Sequence, residues 1–155
     1  MKFAFKPLLA LLLVGSAAGA QPEAVPGQIT GEWIEPTGSV IRVDHCGPQV
    51  CMWVVALSPK APGGFDIYNP DPAKRTRSLC GLEIGSGFVM RSPEEARGGT
   101  LYDPKSGKTY HGLMMLHGNK LELRGYVGFP LFGETQTWAR PAANVKPCTS
   151  GQEYK

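Results

Sequence analysis

The sequence predicts an all-β protein of about eight antiparallel strands with little helix, an up-and-down barrel or a sandwich. Three observations lead there. Apolar and polar residues alternate in short runs through most of the chain beyond residue 30, which is the period-2 signature of half-buried strands. Turn-forming Gly, Pro, Asn and Asp separate those runs, so most connections read as tight turns. Helix signals are confined to two single turns.

Taken in order, residues 31–35 form a first strand, stopped by Pro36-Thr37-Gly38. Residues 40–44 (VIRVD) form a second, with Ile41 and Val43 on one face and Val40 and Arg42 on the other. Residues 51–57 (CMWVVAL) are apolar on both faces and read as a central third strand. Residues 80–90 make a fourth, in which Gly85 and Gly87 suit a bulge or sharp bend. Residues 99–102 and 108–116 flank the turn Asp103-Pro104-Lys105-Ser106-Gly107. After His117-Gly118-Asn119 come residues 120–127 and 134–140, joined by an apolar turn over 128–133. The two helical turns are Ser92-Pro93-Glu94-Glu95-Ala96-Arg97, with an N-cap serine, a proline at N1 and early acids, and Asp71-Pro72-Ala73-Lys74-Arg75.

The N-terminus indicates the compartment. Lys2 and Lys6 precede an apolar run from Leu8 to Val14, and Ala18-Gly19-Ala20 supplies a small-residue cleavage pattern; together these read as a secretory signal peptide. The expected organisation is signal peptide 1–20, linker 21–30, barrel 31–141 and a polar tail 142–155, with cleavage near Ala20–Gln21 and a periplasmic or secreted product. No later stretch is long and apolar enough to span a membrane in the mature protein. Without Lys2 and Lys6, fourteen basic residues face thirteen acids, a balance that calls for no nucleic-acid partner.

All four cysteines lie in the exported part, and an even count in an oxidising compartment points to disulfides. Four cysteines allow three pairings. Cys46 and Cys51 bracket a hairpin-like loop, Gly47-Pro48-Gln49-Val50, and opposed hairpin positions bring Cβ atoms within bonding reach. That favours Cys46–Cys51 with Cys80–Cys148. Zinc is the weaker reading, because no second close Cys or Cys/His pair completes a tetrahedral set.

Several long motifs recur in one order. Gly31-Glu32-Trp33, Cys46-Gly47 and Cys51 are followed by N-P-D-P-x-x-R-x-R-x-L-C-G over 69–81 and G-G-x-L-Y-D-P-x-S-G-K-T-Y over 98–110. L-x-L-R-G-Y-V-G over 121–128 and F-G-x-T-Q-T-W-x-R over 132–140 complete the series. This resembles the small exported bacterial proteins of the domain-of-unknown-function family numbered 2147, over residues 31–140. The resemblance implies a lipocalin-like (calycin) barrel, an extracytoplasmic location and no established enzymatic activity. Met52 and Trp53 depart from the glycine and small or basic residue more usual after the second cysteine.

The residues themselves supply candidates for function. Gly31-x-Trp33 resembles the lipocalin signature, and Trp33 is expected to close one end of the barrel with Arg140 stacked on its indole, a structural role. The 58–79 connection is long, and long connections in compact domains tend to carry function or lack order; the prolines and Cys80 argue for an ordered flap at a barrel opening. Within it, Arg75 and Arg77 either lock onto Asp66 and Asp71 or present charge to an anionic group at the entrance. In 121–126 the leucines alternate with Glu122, Arg124 and Tyr126, and parity leaves open which set faces inward.

A ligand site would draw on Trp53, Tyr102, Tyr110, Arg124 and Tyr126 as lining, with Arg75 and Arg77 at the entrance. His45, His111 and His117 have no H-E-x-x-H or G-x-S-x-G context, and Gly85-Ser86-Gly87 opens no helix. No catalytic residue, cofactor or metal is therefore expected. The function these features favour is non-enzymatic binding of a small amphipathic or apolar ligand. The alternative is a cell-envelope protein-interaction module, an inhibitor or assembly factor, working through loops 65–79 and 129–132.

Overall fold

Eight antiparallel strands follow one another around a closed barrel, each paired with its neighbours in sequence. The computed structural model describes residues 26–61, 63–142, 145, 147 and 148. The first four strands are β1 (Gly31–Ile34), β2 (Val40–Cys46), β3 (Gln49–Ala56) and β4 (Glu83–Ser92). The last four are β5 (Glu95–Asp103), β6 (Lys108–His117), β7 (Lys120–Tyr126) and β8 (Glu134–Ala139). The expected signal peptide lies outside the described residues. Among those described, no helix is long and apolar enough to cross a membrane.

Alternation holds over residues 41–43 of β2. Ile41 and Val43 of β2 join the core, while Arg42 on the opposite parity pairs with Glu32 at 2.8 Å on the outside. In β4 one extra residue stands between the Val50–Phe88 and Met52–Gly85 pairs, a bulge in the region where the glycines lie. The 3-10 turn Pro72–Lys74 is capped by the Asp71 side chain, which accepts from the Ala73 amide.

The turn at 92–97 differs from its expectation. Ser92 pairs with Glu95 and Met90 with Ala96, so the segment is a tight hairpin rather than a turn of helix, and β5 begins four residues before Gly99. Ser92 Oγ still accepts the Glu94 amide, at 3.2 Å. The same local capping chemistry serves either structure, and strand pairing on both sides decides between them.

An up-and-down barrel has two kinds of end. At one lie the chain entry, the β2–β3, β4–β5 and β6–β7 turns and the exit of β8; at the other lie the loops after β1, β3, β5 and β7. The first end is packed solid. Trp33, Met52, Phe88, Met114 and Leu121 are fully buried there, each side chain contributing about 1.5–3 kcal/mol by burial. Glycine makes room for them: a Cβ at Gly99 would lie 2.3 Å from the Phe88 ring, and one at Gly112 would lie 2.8 Å from it. Ile29, in the stretch read as a linker, is also fully buried and joins this core.

The seam between β1 and β8 is held by a single residue pair, Ile34–Ala139. Arg140 closes what the ladder leaves open. Its guanidinium carbon lies 3.6 Å from the Trp33 ring centroid, and it donates to the carbonyls of Gln28 (2.7 Å) and Glu32 (3.3 Å). Burial pulls the guanidinium below its ordinary pKa, yet an arginine stays protonated at any physiological pH. The Trp33 indole N–H donates to the Ile29 carbonyl at 2.7 Å.

Two disulfides complete the frame. Cys46–Cys51 staples the β2–β3 hairpin, and Cys80–Cys148 joins chain positions 68 residues apart. The second bond ties the tail beside β3, where the Cys148 amide donates to the Val55 carbonyl at 2.9 Å.

Candidate ligand-binding site

Above the packed half the barrel is hollow. A cavity of about 730 Å³ opens at the end formed by the loops after β1, β3, β5 and β7, within the roughly 300–1,000 Å³ usual for small-molecule sites. Its wall is apolar: Ile41 from β2, Val54 from β3, Ile84 from β4, Leu101 from β5 and Leu123 from β7. Branched aliphatic side chains of modest length at successive inward positions leave the axis unfilled. Tyr110 from β6 and Gln136 from β8 bring polar atoms into the wall, and Gln136 Oε1 accepts the Trp138 indole N–H at 3.0 Å.

The described residues of the 57–82 connection form a flap built around Asp66, which is fully buried. One carboxylate oxygen accepts from Tyr102 Oη at 2.5 Å, and the other accepts from Asn69 Nδ2 and Arg77 Nε, both at 2.8 Å. Arg77 also stands over the Tyr102 ring, 5.5 Å from its centroid. Burial and the adjacent Asp66 carboxylate raise the Tyr102 hydroxyl above its usual pKa, Asn69 and Arg77 opposing only in part. The flap is thus moored to β5. It also meets the β5–β6 turn so closely that a Cβ at Gly107 would lie 2.0 Å from the Tyr68 carbonyl oxygen, and Gly107 has φ +69°. Both facts demand glycine there.

Across the mouth runs a second contact. Lys105 Nζ donates to Glu35 Oε2 at 3.1 Å and to Thr37 Oγ1 at 2.9 Å. In an eight-strand barrel β1 and β5 stand on opposite sides, so this ion pair crosses the opening. Burial pushes the Glu35 carboxyl up, but the hydroxyl and amide of Thr37 together with Lys105 outweigh it and hold the group below the usual range.

The candidate residues separate into two groups. Tyr102 and Tyr110 line the cavity. Tyr126 borders it, while its ring packs against His111 with centroids 5.7 Å apart. The remaining four do not line it. Trp53 falls between the buried Met52 and Val54 of β3 and takes the outward parity. Arg124 also stands outside: it donates to the Pro130 carbonyl (2.7 Å), the Leu131 carbonyl (3.2 Å) and Thr135 Oγ1 (2.8 Å), pinning the β7–β8 loop. Arg77 is taken up by Asp66, and Arg75 Nε donates to the Asn69 carbonyl at 2.8 Å. Asp71 pairs with Lys74 instead, at 3.6 Å. Both arginines thus make contacts within the flap, Arg75 from an exposed side chain.

Residues not singled out from the sequence complete the rim. Glu35 and Lys105 are 70 positions apart, and nothing local marks them as partners. Lys60 and Glu134 add charge beside the opening. Among the described residues, no group of three or more His, Cys, Asp or Glu is placed to hold a metal ion.

Comparison with known proteins agrees with this architecture. No curated protein matches the chain. Among solved structures, protein HP1028 of Helicobacter pylori, described as belonging to the lipocalin family, superposes with a TM-score of 0.67 at 22% identity, covering 75% of this chain and 84% of that one. At that identity the likeness shows the fold, which is lipocalin-like. Residues 31–140, from the first strand to the arginine that closes the seam, match the family described as an uncharacterized protein conserved in bacteria (DUF2147), and the chain belongs to that family.

Proposed function

We propose that the protein is an exported, non-enzymatic binding protein that carries one small amphipathic ligand in the open half of its barrel. The observation that carries this reading is the division of the interior into a filled half and a hollow one of about 730 Å³. The apolar part of the guest would lie against Ile41, Val54, Leu101 and Leu123, and its polar part among Tyr102, Lys60 and Lys105 at the rim. Export is supported by the basic, apolar and small-residue pattern of the first twenty residues. Two disulfides, which persist in oxidising compartments, support it as well.

The test is a titration of the protein with anilinonaphthalene sulfonate, paired with native mass spectrometry of protein taken from cells. Saturable binding of one dye is expected, and Val54→Phe, which fills the cavity from β3, should weaken it at least about tenfold with the melting transition kept. Unaltered dye affinity in that variant, or a wild-type protein that takes up neither dye nor cellular small molecule, would overturn the proposal.

A further inference from the structure

Exposed apolar side chains are not spread over this molecule. Among the described residues seven large hydrophobics are exposed, and all but Val89 belong to two loops at the open end. Ile67 and Tyr68 stand on the flap; Val127, Phe129, Leu131 and Phe132 stand on the β7–β8 loop, with Leu131 82% exposed and Phe129 74%. Clusters of exposed apolar side chains of this kind mark interaction sites.

We propose that the open end docks onto a lipid bilayer, with the β7–β8 loop entering the acyl boundary, and this rests on the cavity reading above. Three features favour lipid over a protein partner. First, the loop pairs part of its own backbone. The Phe132 amide donates to the Phe129 carbonyl (3.1 Å) and the Gly133 amide to the Pro130 carbonyl (3.2 Å), Pro130 has no N–H, and Arg124 takes up the Pro130 and Leu131 carbonyls from below. An unpaired backbone group in hydrocarbon costs several kcal/mol, so each of these bonds lowers the polar cost of bringing the tip to the acyl boundary. Second, the patch is continuous with the cavity. Tyr68, Val127 and Phe132 are exposed and also line it, so an amphipathic guest leaving the bilayer meets apolar surface all the way in. Third, the rim carries both signs of charge: Lys60 and Lys105 stand with Glu35, Asp103 and Glu134. Such a rim offers no single-sign field for a charged partner, and the attraction is to the apolar layer itself.

Flotation with phosphatidylcholine vesicles tests the docking. Wild-type protein is expected to float with the vesicles, and adding phosphatidylglycerol or raising salt should change the bound fraction less than about twofold. The double variant Phe129→Ser/Leu131→Ser, whose altered residues do not line the cavity, should lose at least about tenfold in bound fraction and keep its anilinonaphthalene sulfonate affinity in solution. Wild type that stays in the soluble fraction overturns the proposal, as does a double variant that floats equally well. Absence of flotation together with self-association, or with a co-purifying protein, that the double variant abolishes would also overturn it and assign the loop to that partner. Dye binding without flotation removes only the docking; flotation without dye binding removes only the cavity reading.

Discussion

The two ends of this barrel are made from the same eight strands and the same alternation, and they hold together by different physics. The closed end is a dry core. Phe88 lies against Gly99 and Gly112, Met52 against Gly85, and Trp33 is covered by Arg140. The open end is held by polar contacts over long chain separations: Asp66 to Arg77 and Tyr102, Glu35 to Lys105. Dispersion and burial need every void filled, so the closed end cannot hold a guest. Hydrogen bonds around a rim fix the loops without filling the space between them. The division leaves one half filled for stability and the other hollow, the half in which binding is proposed.

Substitutions can break this contrast, and the largest effect is expected at the closed end. Trp33→Ala removes a fully buried indole together with its hydrogen bond to Ile29 and should cost about 3–5 kcal/mol. It should be visible in denaturant unfolding as a fall in the midpoint of the whole barrel; a loss under 1 kcal/mol would contradict the assignment of stability to this end. Asp66→Ala comes next. It leaves Tyr102, Asn69 and Arg77 without their common acceptor and should cost about 2–4 kcal/mol, less than a wholly buried pair because Arg77 is partly exposed. The signature is regional: amide exchange and proteolysis should rise in the flap more than in β4–β6, and uniform loosening would blur the distinction between the ends.

The smallest effect sharpens the comparison through pH. Glu35 titrates below its ordinary range in the folded protein. Its contribution is therefore present above the unfolded carboxyl pKa and is lost as pH falls through the folded value. Because Lys105 is half exposed, the pair is worth no more than about 1 kcal/mol. Lys105→Met should reduce the acid dependence of melting in the carboxylate range and leave the neutral-pH closed end untouched. An acid dependence unchanged by Lys105→Met would mean that the contacts from Thr37 and the Ser39 amide set the carboxyl.

How far the sequence could be read varies residue by residue. IRVD alternates cleanly, with Ile41 and Val43 facing the core and Arg42 outside, whereas Val40, on the Arg42 parity, is buried beside a register shift. CMWVVAL offers apolar side chains to both faces, and so the orientation of Trp53 could not be read from its neighbours. The same holds for Arg124, where a leucine-based alternation fits either face until a partner, here the β7–β8 loop carbonyls, is known. Ser92-Pro93-Glu94 carried capping chemistry common to helices and tight turns, and pairing between β4 and β5 resolved it.

From the sequence alone came the all-β class, the approximate places of the strands and the Cys46–Cys51 staple of one hairpin, because each follows from period-2 patterning, turn chemistry and close spacing, which are local; the choice of a barrel over a sandwich came with the family resemblance. The tertiary structure decided where the hollow lies, which aromatic residues border it and that Glu35 meets Lys105 across its mouth. Those depend on closure of the barrel, which brings together residues scores of positions apart, and no local pattern encodes which of them will face each other.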